Sequence, residues 1–392
     1  MIDKPVAVDV FSGPGGLTEG FRQAGFTVTV AVDSDKHACK TYRRNHRKTR
    51  VIEKDMYSVS GQEILDASVG VANHDLIDVV MGGPPCRGLS SANSRSRGEE
   101  NPYNRLFWEF VRLVGEIKPN VYVIENVKSL YNFNSGLFKD QIIAALDDLG
   151  YSSAAFVLCA ASFGVPQLRM RTFIIGTKRD AAIGQFQMSS PTHGPNLQRY
   201  VTVAEAISDL PLIPEGGGGA SVTSYIAAPR TYYQDRLRED CAWLHNHMTS
   251  KSGPTIVERF RQLPEGGNWA DIADLLRQSG DYEQIANTHS GIYRRLKWHE
   301  PAYTMVNPRK SMYVHPEQNR LLSVREVARL QSFSDRYIFE GALNSMQQQV
   351  ADAVPVFLGK TVAQRVKKCL FPRVHLVSIA EKPSLNARSG CT

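Results

Sequence analysis

The sequence Val6-Ala7-Val8-Asp9-Val10-Phe11-Ser12-Gly13-Pro14-Gly15-Gly16 decides the fold of this 392-residue chain. A short β-branched run ends in a glycine turn, and residues 17–24 then have the composition of a helix. Glycines at such a turn let the backbone approach a ligand closely, and the following helix offers free N–H groups. Asp33 lies 20 residues after Gly13, at the end of the next strand-like run, where an acid can bind ribose hydroxyls. The stretch therefore predicts a site for a ribose-bearing cofactor, and both NAD and S-adenosylmethionine satisfy it.

Strand-like and helix-like runs alternate up to about residue 180. The strand-like runs are 6–11, 28–32, 76–81, 121–124, 154–159 and 172–177, and the helix-like runs are 17–24, 35–45 and 105–117. Strands separated by single helices predict βαβ units. The expected fold class is therefore α/β, with a doubly wound, mainly parallel sheet.

The amino-acid composition and the periodicity of the sequence change after Lys178. Residues 181–290 are rich in glycine, proline, serine and asparagine, and their weak periodicity is typical of an irregular, loop-rich second domain. Helix-like patterning returns at 323–333 and at 347–359. The tail beyond Pro372 is predicted to be peripheral or disordered.

Composition and charge narrow the class of protein. Hydrophobic residues make up 42% and charged residues 22% of the chain, which argues against disorder, collagen and coiled coil. No apolar run reaches the ~18 residues of a spanning helix, and the N-terminus has no signal-peptide architecture, so we expect a cytoplasmic protein without a membrane partner. The net charge of +7 is uneven, because residues 291–392 hold 16 Lys and Arg against 7 Asp and Glu. This excess suits a polyanion partner and, equally, a solvated basic face.

The six cysteines lie far apart, without a Cys-x-x-Cys pair or a Cys/His cluster with metal spacing. We therefore expect neither a bound metal nor a disulfide framework. Cys86 stands out because it ends the segment Gly82-Gly83-Pro84-Pro85-Cys86, directly after a predicted strand. Ligands of doubly wound sheets bind at this strand edge, so Cys86 is predicted to face the active-site crevice. A buried cysteine in a proline turn is the simpler alternative.

The segment Glu125-Asn126-Val127 ends the next strand-like run, so Glu125 should emerge at the same edge as Cys86. A thiol and a carboxyl group in one crevice suit nucleophilic addition assisted by an acid. A solvated carboxylate at a strand end is the simpler alternative.

A basic cluster lies in Gln167-Leu168-Arg169-Met170-Arg171. Alternation before a strand places Gln167, Arg169 and Arg171 on one face, suited to an oxyanion or a phosphate. A basic edge strand explains the same pattern.

In this order, the motifs resemble those of the DNA (cytosine-5)-methyltransferases, in particular the bacterial type of restriction–modification systems. The resemblance extends from residue 11 to residue 355. It rests on the glycine loop Phe11–Gly16, the acidic strand end Asp33, Pro-Pro-Cys at 84–86, Glu-Asn-Val at 125–127, and Gln-x-Arg-x-Arg at 167–171. Residues 320–331 resemble the family's Arg-x-Leu-Thr-x-Arg-Glu-x-Ala-Arg-Leu-Gln helix, and 349–355 resemble its Gln-x-Gly-Asn-Ala-Val-Pro segment.

The resemblance implies four parts of the chain. These are a catalytic, cofactor-binding domain at 1–180, a smaller target-recognition domain at 181–319, a segment at 320–372 that returns to the catalytic domain, and a tail at 373–392. It implies S-adenosyl-L-methionine as the cofactor and double-stranded DNA as the partner of a nucleoid-associated monomer without a metal. It also allows a cognate restriction endonuclease that acts separately. The basic segments 293–297 and 308–310 would face phosphates near the domain junction.

The resemblance also implies a role for each site residue. The Cys86 thiolate would add to C6 of a flipped-out cytosine, a protonated Glu125 would assist at N3, and Arg169 and Arg171 would hold the base O2 and the neighbouring backbone. Such a carboxyl needs a raised pKa, which burial supplies. Phe11 would stack near adenine, Asp33 would bind ribose, and Asp55 would accept from the adenine amino group. The implied cofactor-binding set is Phe11, Ser12, Gly13, Gly15, Gly16, Asp33, Asp55, Pro84, Leu106 and Asp352.

The chain departs from the family pattern at a few positions. Arg87 stands where the family usually has Gln, Leu89 where it often has Phe, and Ala351-Asp352 where it has Gly-Asn. Arg87 directly precedes a polar segment, 88–103, and Leu89 lies within it; we expect this segment, which carries Arg95 and Arg97, to be a lid over DNA. The last lies near the methionine end of the cofactor.

Three other functions remain compatible with part of the sequence. A nicotinamide dehydrogenase would use the glycine loop and Asp33 but leaves the motifs around Cys86 and Glu125 unexplained. A catalytically silent DNA-binding module would explain the basic C-terminus but not those motifs. Among methyltransferases, an enzyme acting on cytosine in RNA is the nearest alternative.

Overall fold

The computed structural model of the chain describes residues 4–72, 76–85, 104–239, 241–278 and 291–372. Its strands are β1 (Val6–Val10), β2 (Thr27–Asp33), β3 (Arg50–Glu53), β4 (Val79–Gly82), β5 (Val121–Val127), β6 (Tyr151–Cys159), β7 (Gln167–Leu168), β8 (Met170–Lys178), β9 (Gly218–Thr223), β10 (Leu244–Thr249), β11 (Arg294–Arg295), β12 (Ala302–Tyr303) and β13 (Tyr313–Val314). Its α-helices are α1 (Gly16–Gln23), α2 (Lys36–Asn45), α3 (Gly61–Ser68), α4 (Arg105–Ile117), α5 (Ser129–Asn132), α6 (Leu137–Asp148), α7 (Val203–Ile207), α8 (Tyr232–Arg238), α9 (Pro254–Gln262), α10 (Ala273–Gln278), α11 (Val324–Leu330), α12 (Leu343–Asp352) and α13 (Val356–Leu370).

One sheet of seven strands, in the order β3-β2-β1-β4-β5-β8-β6, organises the molecule. The strands from β3 to β5 are parallel, whereas β8 is antiparallel to both β5 and β6. The predicted α/β class with a doubly wound, mainly parallel sheet is confirmed. The carboxyl ends of β1, β2, β4 and β5 meet at one edge, where the ligand crevice of such sheets lies.

Alternate residues of the central strands face two different hydrophobic layers. Val6, Val8 and Val10 pack with α3, α4 and α6, whereas Ala7 packs on the opposite side with α1, α11 and α13. Side chains alternate across a strand, so a sheet covered on both faces requires apolar residues at nearly every central position. A third, smaller cluster joins α9 and α10 to residues 292–321.

Two strands differ from the sequence prediction at the edge that forms the crevice. The apolar run 76–81 predicts a strand, but β4 begins only at Val79, and Leu76 is 74% exposed. β5, predicted to end at residue 124, continues to Val127 because it stays paired with β8. Glu125 therefore lies within a strand rather than at its end. Hydrogen-bonded pairing between strands decides where each strand begins and ends, and the amino-acid composition of a run does not reveal that pairing.

The helix-like run 347–359 is also divided. α12 ends at Asp352 and α13 begins at Val356, with an extended backbone at Ala353 and at Pro355 between them. Proline lacks an N–H and disfavours the helical conformation in the residue before it. The segment 181–290, predicted to be loop-rich, contains α7, α8, α9, α10 and the antiparallel pair β9 and β10.

Asp9 is a buried carboxyl group in the central strand β1. Its Oδ2 accepts a hydrogen bond from the Thr18 hydroxyl at 2.6 Å, and the residue is 1% exposed. Burial raises the pKa of Asp9 to about 7, although the Thr18 hydrogen bond acts in the opposite direction. The folded protein therefore holds a proton at Asp9 at a pH where the unfolded chain does not.

Asp9→Asn should make the stability of the protein less dependent on pH. The folded pKa lies above the unfolded value of about 3.9, so the wild type loses stability as pH rises through this window. Asparagine cannot ionise, so from about pH 5 to about pH 8 the unfolding free energy of the variant should rise by about 2–3 kcal/mol relative to the wild type. Urea denaturation at several pH values measures this difference. The exposed Asp148→Asn serves as the control, and parallel pH profiles for Asp9→Asn and the wild type would contradict the prediction.

Candidate active site

The glycine loop after β1 is held by Asp33 at the end of β2. Asp33 Oδ2 accepts a hydrogen bond from the Gly13 backbone N–H at 2.7 Å, and Oδ1 accepts one from the Asp35 N–H at 2.8 Å. Burial raises the pKa of Asp33, and these backbone donors oppose the increase. Gly13 and Gly15 adopt positive φ angles, which glycine tolerates without the penalty of a Cβ. The carboxylate that is predicted to bind ribose therefore also shapes the loop.

The C-terminal segment packs directly against this loop. A Cβ on Gly16 would collide with the carbonyl oxygen of Val354, in the junction between α12 and α13. A Cβ on Gly15 would lie 2.8 Å from the Tyr337 hydroxyl. Larger residues at positions 15 and 16 would therefore separate the two segments.

Asn126 positions the segment that leads to Cys86. The Asn126 amide donates a hydrogen bond to the carbonyl oxygen of Pro84 at 2.8 Å, and a Cβ on Gly83 would lie 3.1 Å from Glu125 Oε2. The predicted edge thus brings the proline segment and Glu125 together. Outside the described residues lie Cys86 and the predicted lid, with Arg87, Leu89, Arg95 and Arg97.

Glu125 has the electrostatic environment of a proton donor. It is 8% exposed, and its Oε1 lies 2.9 Å from Arg171 Nε. Burial raises the pKa of Glu125, while the positive charges of Arg171 and Arg169 partly counteract this. The net direction is upward, so the carboxyl group retains its proton to a higher pH than an exposed glutamate does.

Arg169 and Gln167 contact different partners from Arg171. Arg169 is fully buried and donates to the carbonyl oxygens of Met305 at 2.7 Å and Ala351 at 2.9 Å. Gln167 accepts a hydrogen bond from the Met305 N–H at 2.8 Å. Alternation predicts a single face for the three side chains; in the structure Arg169 joins the segment around Met305 to α12, and Gln167 joins it to the Leu330 carbonyl oxygen in α11. Burial lowers the pKa of Arg169 to about 9, which leaves it cationic at neutral pH.

A single cavity of about 2100 Å³ connects these elements. Small-molecule sites usually occupy roughly 300–1,000 Å³, so the cavity has room for more than one ligand. Of the implied catalytic and cofactor-binding residues that the structure describes, only Gly15 is absent from the cavity wall; Gln167 of the basic cluster is absent from it as well. The wall contains Phe11, Ser12, Gly13, Gly16, Asp33, Asp55, Pro84, Leu106, Glu125, Arg169, Arg171 and Asp352.

The wall of this cavity has the features of a nucleoside site. The Ser12 hydroxyl is buried and has no hydrogen-bond partner among the described residues, and a Cβ on Gly13 would meet open space. The carboxylates of Asp33 and Asp55 can accept hydrogen bonds from hydroxyl and amino groups. Asp55 also accepts the Tyr57 N–H at 3.1 Å, which fixes its orientation. Phe11 and Leu106 supply apolar surface for a flat ring.

The described parts of the chain contain neither a metal-binding cluster nor a membrane-spanning helix. Residues 4–72, 76–85, 104–239, 241–278 and 291–372 contain no group of three or more His, Cys, Asp or Glu arranged to hold a metal ion. Within the same ranges, every helix is too short or too polar to cross a membrane.

The family model described as C-5 cytosine-specific DNA methylase matches residues 6–368. The chain belongs to this family. It is a DNA (cytosine-5-)-methyltransferase, and the resemblance found in its motifs is confirmed. The methyltransferase is 32% identical to the Type II methyltransferase M.DdeI of Desulfomicrobium norvegicum, over 95% of this chain and 90% of that protein. It is 35% identical to the Type II methyltransferase M1.HphI of Haemophilus parahaemolyticus, over 92% of this chain and 86% of that protein.

A solved structure supports the fold of the methyltransferase independently. An Escherichia coli prophage protein described as a DNA modification methyltransferase superposes with a TM-score of 0.74 over 94% of this chain and 99% of its own. Sequence identity between the two is 22%. This likeness shows that the seven-stranded architecture is shared.

His46 and Tyr337 support the glycine loop of the methyltransferase, and the sequence motifs do not reveal this contact. His46 Nε2 lies 3.0 Å from the Tyr337 hydroxyl, which donates to the carbonyl oxygen of Pro14 in the glycine loop. Burial lowers the pKa of His46 to about 3, so its ring is neutral. The two residues lie at opposite ends of the chain and in no shared motif, so only their contact with the loop identifies them.

Gly16→Ala should destabilise the methyltransferase by about 1–3 kcal/mol, because the added methyl group displaces the Val354 carbonyl. Gly115→Ala in α4 is the matched control. Its Cβ would make only ordinary contacts with Leu149, and alanine is the better helix former, so this variant should be as stable as the wild type or more so. Urea denaturation compares them. Equal stabilities for the two variants would contradict the packing role of Gly16.

Proposed function

We propose that the enzyme transfers a methyl group from S-adenosyl-L-methionine to C5 of a cytosine flipped out of a specific duplex DNA sequence. One observation carries the proposal. A buried carboxyl group with a raised pKa, Glu125, adjoins the segment 83–85 that leads to Cys86, in a cavity with room for a base and a cofactor. The reaction needs a thiolate, a proton donor and a methyl donor within such a space.

Cytosine C5 is too weak a nucleophile to take a methyl group unaided. A Cys86 thiolate that adds to C6 forms the S–C6 bond and moves the ring electrons toward N3 and C5. Glu125 gives its proton to N3 and so offsets the developing charge, which leaves an enamine that is nucleophilic at C5. Once C5 carries the methyl group, loss of the C5 proton to solvent restores the C5–C6 double bond and expels the Cys86 thiolate, and the proton on N3 returns to the Glu125 carboxylate.

The chain geometry supports a position for Cys86 near Glu125. Three residues of extended chain span at most about 11 Å, and Gly83, which precedes Cys86 by three residues in the sequence, has a Cβ position that adjoins the Glu125 carboxyl. Asn126 fixes the start of this segment through Pro84. Thiolate and carboxyl can therefore reach the same base.

Arg171 is proposed to orient Glu125 and to contact the base O2. The Arg171 Nε atom lies within hydrogen-bonding distance of the Glu125 carboxyl group, and the guanidinium group has further N–H donors in the same plane. Arg169 is proposed to contribute positive potential to this site from within the wall and to keep the wall closed. The Arg169 guanidinium donates hydrogen bonds to the backbone carbonyl oxygens of two segments.

The residues around the glycine loop suit the cofactor. We propose that Phe11 and Leu106 cover the adenine, that Asp55 accepts from its amino group, and that Asp33 binds ribose. Ser12, Gly13, Gly15, Gly16, Pro84 and Asp352 complete the site. When bound, S-adenosylmethionine supplies an electrophilic methyl group on its sulfonium.

Duplex DNA is the proposed partner, because the reacting carbon is inaccessible in a stacked base pair and the base must leave the helix.

Residues 181–319 are proposed to recognise the DNA sequence, and residues 1–180 and 320–372 are proposed to carry catalysis. Arg294 and Lys310 line the same cavity as Glu125 and suit phosphate contacts beside the flipped base. Similarity to Type II methyltransferases supports a role in restriction–modification, with a separate cognate endonuclease.

The covalent step can be trapped with 5-fluorocytosine. Fluorine cannot leave as a cation, so elimination stalls after methyl transfer and the enzyme stays bonded to C6. Duplex DNA with 5-fluorocytosine at the target position should give an adduct that survives denaturing electrophoresis and requires S-adenosylmethionine. Cys86→Ser should form none, and Glu125→Gln, which donates a hydrogen bond but no proton, should form it far more slowly.

Cys159→Ser provides the matched control for the trap, since Cys159 is a partly exposed free thiol on β6. It should form the adduct as the wild type does. An adduct with Cys86→Ser would refute the covalent mechanism proposed here. Trapping on RNA of the same sequence, without trapping on the duplex, would assign the enzyme to RNA.

Exchanging residues 181–319 for the matching segment of a related Type II enzyme tests the proposed division of the chain. Bisulfite sequencing of DNA from expressing cells should then show methylation at the site of the donor enzyme. An active chimera that keeps the original site would place recognition elsewhere in the chain.

A further inference from the structure

Three consecutive glutamines on α12 point in three directions. Gln347 accepts a hydrogen bond from the Ser250 hydroxyl at 3.3 Å, and Gln349 accepts one from the Thr41 hydroxyl at 2.6 Å. Both are buried and fasten α12 to neighbouring segments. Successive helix residues are turned by about 100°, so Gln348 points away from the partners of its two neighbours, and it lines the cavity, as Gln349 also does.

Gln348 joins two residues of opposite charge. Its Nε2 donates to both carboxylate oxygens of Asp352, at 2.9 and 2.8 Å. Its Oε1 accepts from Lys310 Nζ at 3.3 Å and from Asn307 Nδ2 at 3.1 Å. A carboxylate only accepts and an ammonium only donates, so the orientation of the amide is determined by these partners.

The turn that carries Lys310 is organised by the same contacts. Asn307 Oδ1 accepts the backbone N–H groups of Arg309 at 3.1 Å and of Lys310 at 3.3 Å. Arg309 and Lys310 are exposed, and neither forms an ion pair within the described residues. Two exposed cations on a turn held from behind suit the phosphates of a nucleic acid. The Asn307 amide that holds this turn is itself bound by Gln348.

Asp352 lies at the opposite end of this connection, in the wall of the cavity beside the glycine loop. The backbone around it is fixed, because Arg169 donates to the Ala351 carbonyl and Gln331 donates to the Val350 carbonyl. Its side chain is exposed, and both carboxylate oxygens accept hydrogen bonds from the Gln348 amide. The conformation of the Asp352 side chain therefore depends on the conformation of Gln348.

We propose that Gln348 is a positioning residue that couples the DNA-facing turn 307–311 to Asp352 at the cofactor site. This coupling rests on the proposed function, and it makes the binding of the cofactor depend on bound DNA. When phosphates order the turn, the amide of Gln348 is fixed between Asn307 and Asp352, and the Asp352 carboxylate is held in one orientation toward the cofactor. By linkage, bound cofactor strengthens DNA binding by the same factor.

An amide is the side chain that satisfies both partners. Gln348→Glu keeps an acceptor for Lys310 but repels Asp352, whereas Gln348→Lys keeps a donor for Asp352 but repels Lys310. Gln348→Met has a similar length and helix preference and contacts neither partner through a hydrogen bond. All three should therefore lose the coupling, although their charges differ.

The coupling is measured by calorimetry on the full chain. The probe is S-adenosylhomocysteine, titrated with and without a duplex containing the site that bisulfite sequencing shows to be methylated. We expect DNA to tighten binding to the wild type by about fivefold or more. In Gln348→Met this ratio should fall close to one, while the Kd without DNA changes by less than about twofold.

Asn344→Met is the matched control, because Asn344 lies one turn earlier on the same side of α12 and lines the same cavity. It should keep the wild-type ratio. Lys310→Met should lower the ratio and add little to Gln348→Met in the double variant, since both act through one connection.

A wild-type ratio near one, or an unchanged ratio in Gln348→Met, overturns the coupling, as does an equal loss in Asn344→Met. Each of these results leaves the proposed function intact where the wild type still methylates DNA and is trapped by 5-fluorocytosine. A wild type that methylates no DNA overturns the proposed function and the coupling together.

Discussion

The close contact between Gly16 and the carbonyl oxygen of Val354 places the start of α1 against the junction of α12 and α13. It brings the first and last parts of the described chain to the same wall of the cavity. A further close approach, of Gly20 to the backbone of Lys360, continues the contact along α1 and α13. Both need glycine, because a methyl group would occupy the space of a main-chain atom. Without this contact Asp352 would not lie beside the glycine loop.

Buried charge gives the site its chemistry. Moving a carboxyl group out of water favours its neutral form, and burial accordingly outweighs the influence of Arg171 and Arg169 on Glu125. A lone buried guanidinium would be costly, but Arg169 donates to the carbonyl oxygens of Met305 and Ala351. The same burial that closes the wall therefore produces a carboxyl group able to give up a proton to a base.

α12 shows how one helix serves several functions through its periodicity. Neighbouring residues leave a helix in different directions, so adjacent side chains can anchor the helix and face the cavity. Gln347 and Gln349 are anchors, and Gln348 connects the turn 307–311 to Asp352. This connection accommodates the departure at Asp352 from the family's Asn, because both carboxylate oxygens accept hydrogen bonds from the Gln348 amide.

The sequence alone determined the class of the fold, the family and the order of the site motifs. These features are local patterns, in which residues close in sequence act together. They are the run from Val6 to Gly16, the acid at Asp33 and the strand that contains Glu125. Strand, turn and helix preferences depend on such neighbours, and the prediction of the sheet succeeded for that reason. The apolar and helical patterns failed at Leu76, where pairing between strands decides the start of β4, and within 347–359, where the missing N–H of Pro355 divides the helix.

Only the tertiary structure decided which distant side chains meet. Tyr337 reaches the glycine loop, Arg169 joins Met305 to Ala351, and Gln348 joins Lys310 to Asp352. These residues lie far apart in sequence or in patterns that also fit a basic strand or a plain helix face. Their contacts depend on how the C-terminal segment folds back onto the sheet, and no local preference encodes that arrangement. The raised pKa of Glu125 has the same origin, because burial is a property of the packed molecule and not of the motif.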